Sequence, residues 1–211
     1  MKSKILTLGV AAFVALSVQP MVANAAQGDW LLRAGVGYVA PKDDNLTNLA
    51  GEPGLDLTVD DGASLSVEAA YMFRDNWAVE ILGALPFSHD VKLSGAGKVA
   101  EVKHLPPVVS LQYHFSPEAT VRPYIGAGVN YTTFFDEDGK GALNGVNLKL
   151  DDSWGLALQV GLDFDISDSL FANVGIRYID IESDLEVGGA KVGTVEIDPF
   201  VYQLHIGYRL R

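Results

Sequence analysis

The chain of 211 residues carries 15 Lys and Arg against 27 Asp and Glu, a formal charge of −12 at pH 7, and has no cysteine. So acidic a balance speaks against a nucleic-acid partner, for which basic surface supplies most of the affinity. The lack of cysteine leaves neither a disulfide framework nor a thiolate metal site.

Residues 1–25 read as a secretory leader. Lys2 and Lys4 make a charged start, residues 5–18 an apolar stretch, and Ala23-Asn24-Ala25 a small-x-small cleavage signal. Cleavage is expected between Ala25 and Ala26, leaving one domain over residues 26–211. Loss of the two lysines takes the charge from −12 to −14. Hydrophobic residues make up 48% of the sequence, yet beyond the leader no apolar run reaches the roughly 18 residues of a membrane helix. The apolar content is spread over shorter elements.

Those elements alternate. In chain order the segments 30–39, 64–72, 77–85, 105–115, 121–133, 154–164, 170–179 and 200–210 read as strands. The sixth is the clearest: Trp154, Leu156, Leu158, Val160, Leu162 and Phe164 face one way, Gly155, Ala157, Gln159, Gly161 and Asp163 the other. A period of two gives a strand one apolar face, and about ten residues suffice for a tilted strand to cross a bilayer. Backbone groups in hydrocarbon must all be paired, so such strands close on themselves. The expected fold is an all-β, eight-stranded antiparallel transmembrane barrel with up-and-down topology.

The connections sort by length. Residues 73–76, 116–120 and 165–169 are short turns; 40–63, 86–104, 134–153 and 180–198 are long and rich in Gly, Asp and Glu. Short periplasmic turns and four long extracellular loops are the pattern of a bacterial outer-membrane barrel. Aromatics at strand ends, among them Trp30, Tyr71, Trp77, Tyr131, Trp154 and Tyr208, fit the two interfacial girdles.

If the greasier face of each strand meets lipid, the other face fills the lumen. Strand direction then adds depth. Arg33, Glu80, Arg122, Asp163 and Arg209 gather toward the periplasmic end, and Leu82, Ala84, Val108, Ala157, Ile179 and Val201 toward the outer end. Charges in so narrow a space must be paired or hydrated. The expectation is a polar plug below and an apolar, ligand-binding cup above. Eight strands leave room for side chains or one small ligand, so a molecule in the cup would leave sideways into lipid. Pro106 and Pro107 mark that lateral opening, because neither has an N–H to give to the ladder.

Other signals carry less. Gly35-x-Gly37 and Gly126-x-Gly128 open no helix, so they are no nucleotide loop. Asp136-Glu137-Asp138-Gly139 lacks the spaced ligands of a calcium loop. His89, His104, His114 and His205 have no metal-ligand spacing, so neither metal nor other cofactor is expected. No catalytic set is evident, which leaves the chain without an enzymatic role. The acidic loops either stay solvated or hold lipopolysaccharide phosphates through divalent cations.

Several stretches resemble the outer membrane protein W family: Leu85-Pro86-Phe87, His104-Leu105-Pro106-Pro107, Arg122-Pro123-Tyr124-Ile125-Gly126, Asn130-Tyr131-Thr132-Thr133-Phe134-Phe135, Asp152-Ser153-Trp154-Gly155 and Gly207-Tyr208-Arg209. They keep the family's order over nearly the whole mature chain. The resemblance implies a Gram-negative outer-membrane barrel with a narrow, partly apolar channel that passes small hydrophobic molecules. It also implies insertion by the barrel-assembly machinery, although the usual aromatic end is here Leu210-Arg211. In the family an inward Leu and an inward Trp form the constriction. Leu82 matches the first, and Arg177 stands in place of the second. The alternative is a structural or adhesive barrel whose lumen is filled throughout.

Overall fold

The computed structural model describes residues 25–47 and 49–211. The expected leader, except for Ala25, lies outside the described residues. Within them run β1 (Trp30–Ala40), β2 (Leu57–Val59), β3 (Gly62–Arg74), β4 (Trp77–Ala84), β5 (Phe87–Leu93), β6 (Gly97–Leu105) and β7 (Val108–His114). They continue with β8 (Val121–Gly139), β9 (Leu148–Leu150), β10 (Ser153–Asp165), β11 (Leu170–Ile179), β12 (Glu182–Val187), β13 (Ala190–Glu196) and β14 (Phe200–Leu210).

Eight of these close a barrel. In space β10, β11, β14, β1, β3, β4, β7 and β8 are successive neighbours, and β8 returns to pair with β10 from Thr132↔Ser153 to Val121↔Phe164. The first and last strands join from Trp30↔Leu210 to Ala40↔Phe200. All eight pairings are antiparallel. Closure leaves no unpaired edge, which hydrocarbon would not tolerate.

The alternation of the sequence becomes two faces. On β14 the odd positions from Val201 to Arg209 are buried, whereas Leu204 is 64% exposed. On β10 Leu158 is 56% exposed and Gln159 buried. The outer face is apolar and bounded by aromatic pairs. Trp30–Tyr71 and Trp77–Tyr113, both with ring centroids 5.0 Å apart, lie at the periplasmic end. Tyr131–Trp154 at 4.8 Å and Tyr178–Phe200 at 5.6 Å lie at the outer end.

Inside, large side chains fit because small ones face them. A Cβ on Gly161 would sit 2.3 Å from the Tyr124 ring, and one on Gly207 would sit 2.2 Å from Phe171. Eight strands thus enclose a packed interior rather than a pore.

The long connections are where the structure departs from expectation. They were expected as polar loops; instead β8 runs on to Gly139, and the connections hold six further strands. β2, β5 and β6 extend one wall onto the top of β8, while β9, β12 and β13 form a separate three-stranded sheet. The reason is a second alternation: Phe87, His89, Val91 and Leu93 turn one face inward beneath a charged exterior. The strand expected over 105–115 is likewise divided at Pro106 and Pro107 into β6 and β7.

Candidate functional site

The interior divides by depth. Lowest is a small apolar layer of Leu31, Ala70, Met72, Ala78 and Phe171, all buried and joined by Ala25. Above it lies a charged network. Arg33 donates from Nη2 to Asp163 Oδ2 at 2.9 Å and from Nη1 to Glu68 Oε2 at 3.3 Å. Arg177 Nη2 reaches Glu80 Oε1 at 2.6 Å and Glu68 Oε1 at 3.1 Å. Arg122 and Arg209 share Asp165 Oδ1, at 2.5 Å and 3.0 Å. Four guanidinium groups therefore face four carboxylates, and the network carries no net charge.

Neutral groups complete it. Gln159 and Gln112 donate to Glu80 Oε2, Gln203 to Glu68 at 2.7 Å, and Asn173 to Asp163 at 2.8 Å. The Arg33 guanidinium also lies 5.0 Å above the Tyr124 ring. Charge buried without such partners would cost several kcal/mol; here each guanidinium has a carboxylate partner.

All five residues expected in the polar plug, Arg33, Glu80, Arg122, Asp163 and Arg209, are in this network. Arg177, expected at the constriction, is in it as well, two residues below Ile179 on β11. Glu68 lies on the less apolar face of the expected strand 64–72 and Asp165 in the expected turn 165–169, and neither was among the residues expected in the plug. The tally of inward arginines against inward acids, four to three, signalled that one more carboxylate was needed.

Above the network Leu82, Val108, Ala157, Ile179 and Val201 are buried together, with Ala84 packed against them. The free space beside Leu82, Ala84, Ile179 and Val201 is about 10 Å³, no more than one water molecule. Pro106 lines that space. Beside it the ladder between neighbouring strands is interrupted. The β4–β7 ladder stops at Leu82↔Val108, and β5–β6 pairing resumes at Phe87↔His104. Residues 83–86 and 105–107, which include Pro86, Pro106 and Pro107, make their bonds to β3 and β8 rather than to each other. Leu85 N–H donates to the Leu65 carbonyl at 2.9 Å, and the Pro107 carbonyl accepts from Tyr131 N–H at 3.1 Å.

The larger space lies higher still, between the extramembrane strands. It is an apolar cavity of about 190 Å³ lined by Leu57, Val91, Leu148, Leu185 and Val195 among others. Its floor is an aromatic stack. The His89 and His104 rings lie 4.9 Å apart and 15° from parallel, and Phe87 and Phe134 flank His104 at 5.6 Å and 6.0 Å. His104 lines both the cavity and the small space below it. Burial and the neighbouring His89 push the His104 imidazole down to about 3, and burial lowers His89 as well. Both rings are therefore neutral. The outer faces carry ion pairs such as Lys98–Asp90 at 2.7 Å and Lys103–Asp136 at 3.0 Å. Such exposed pairs are each worth at most about 1 kcal/mol.

The OmpW family model matches residues 26–210. Outer membrane protein W of Vibrio cholerae is 43% identical, over 95% of this chain and 97% of that protein. The crystal structure of the outer membrane protein OprG from Pseudomonas aeruginosa superposes with a TM-score of 0.82 at 36% identity, covering 90% of this chain and 99% of that one. The dibenzothiophene metabolism operon protein PahQ of Pseudomonas aeruginosa is 30% identical, over 87% and 89% of the two chains. A closed barrel of eight strands, wearing its apolar face outward and matching this family over residues 26–210, makes the chain a member of the OmpW family of the outer membrane.

Proposed function

We propose that the protein takes up small hydrophobic molecules passively, receiving them in the loop cavity and releasing them sideways into the bilayer. The observation that carries this reading is the stacking of an apolar cavity of about 190 Å³ above a charge-balanced network. An apolar solute gains by leaving water for the cavity, and would lose by pushing on through paired ions. Lipid is its downhill destination.

The unpaired seam at Pro86, Pro106 and Pro107 is the exit, and Leu82, Ala84, Val108, Ala157, Ile179 and Val201 are the surface a solute slides past. That layer must part for passage, since its resting space is about 10 Å³. The name of PahQ, from a dibenzothiophene metabolism operon, fits an apolar aromatic cargo. On this reading the chain performs no chemistry of its own, its leader is removed on export, and the assembly machinery inserts it among lipopolysaccharide and phospholipid.

Substituting Pro106→Val and Pro107→Val restores two ladder donors and is expected to slow uptake of a small aromatic several-fold. The assay uses membranes with a lipopolysaccharide outer leaflet; unchanged uptake there rules out this exit. The near-solid cup favours a second reading, a structural or adhesive barrel, and a chain that moves no apolar solute in the same assay would be of that kind.

A further inference from the structure

The loop cavity has an apolar wall, and two neutral histidines stand among the residues of its floor with their Nε2 atoms covered. His89 and His104 are each buried to 3% exposure or less, and the Nε2 atom of each has no hydrogen-bond partner. Buried side-chain nitrogens are ordinarily paired. For His89 the protonation can be worked out. Its Nδ1 lies 2.6 Å from the Asp60 carbonyl, which can only accept, so Nδ1 carries the hydrogen. A neutral imidazole has one donor and one acceptor nitrogen, so Nε2 of His89 presents a lone pair. The ring cannot turn away, because β3 approaches it so closely that a Cβ on Gly62 would lie 2.7 Å from the ring, and His104 stacks on it.

We propose that His89 and His104 are a polar anchor that selects apolar molecules bearing one hydroxyl, such as phenols and alcohols, over bare hydrocarbons. An O–H group on the cargo donates to the waiting His89 Nε2, while its rings or chain fill the space walled by Leu57, Val91, Leu148 and Val195. The volume is sufficient, since a dry cavity of roughly 150 Å³ holds benzene. A pocket with an unpaired acceptor discriminates against the isostere that cannot donate, because binding that isostere leaves the acceptor buried and alone. The proposal deepens the uptake reading and rests on it in taking this cavity as the place where cargo is held.

The test compares 1-naphthol with 1-methylnaphthalene, which differ by a hydroxyl in place of a methyl. Binding to the full chain in lipid nanodiscs is followed through the methyl resonances of Leu148 and Val195. One hydrogen bond predicts about tenfold tighter binding of 1-naphthol. The same preference should vanish in His89→Phe and shrink in His104→Phe. Equal affinity of the wild-type chain for the two probes overturns the proposal without any variant being needed, and so does a preference that survives both substitutions. Uptake of both probes across lipopolysaccharide-faced membranes separates the two ideas. Selective binding with no uptake of either sinks transport and leaves the anchor standing, whereas equal binding with brisk uptake sinks the anchor alone.

Discussion

Arg177 shows how much one side chain decides. Its guanidinium answers both Glu68 and Glu80 from a position where the family resemblance implies a tryptophan. Replacing it by Leu leaves two carboxylates short of a partner, and losing one side of a buried ion pair costs about 3–5 kcal/mol. Arg177→Leu is expected to lower stability by about that amount in denaturant unfolding from bilayers, with a measurable ion leak. Gly161→Ala tests packing at the same depth. Its methyl has no space beside Tyr124, so a loss of about 1–3 kcal/mol is expected, relieved in a Tyr124→Leu background. His104 supplies a pH effect. Its folded value near 3 lies below the ordinary imidazole value of 6.5, so the unfolded chain binds a proton that the native chain refuses. Its share of stability is complete above 6.5 and is lost as the pH falls from there toward 3. The His104 imidazole resonances of the folded protein should accordingly stay flat from pH 8 to 5.

At the scale of strands, sequence alone disclosed all eight barrel elements and which face of each turns inward, because period-two alternation is the direct signature of a sheet with two different neighbours. Leu158 and Gln159 illustrate it: one is 56% exposed, the other buried among Glu80 and Gln112. Leu158→Arg should cost about 2–4 kcal/mol if it reaches the bilayer midplane, read as a loss of folding free energy into lipid. The extramembrane strands were harder to see. β5 alternates as the barrel strands do, but Asp90 and Lys92 on it resemble residues of a solvated loop, and charge alone does not tell a wet loop from a wet strand face. Depth was legible only to within a layer. Arg177 joins the network because Glu68 and Glu80 reach toward it from β3 and β4, a meeting set by strand stagger, which local pattern does not encode.

The molecule as a whole sets an apolar cavity, walled by its extramembrane strands, above a charged layer inside the barrel. A barrel of eight strands has little room beyond the side chains it encloses, and on the proposed reading selectivity for apolar molecules comes from the closed middle and the cavity above it. The inward charges were legible in the sequence as residues of one strand face; the cavity above them became visible only once the long connections were seen to be walls. The most direct test measures ion conductance and apolar flux together across an asymmetric membrane bearing lipopolysaccharide on the outer side. Flux of 1-naphthol well above that of the protein-free membrane, with ion conductance no greater than its background, is the predicted result. Flux that rises and falls with an ionic current would place the route through the lumen and contradict the sideways exit.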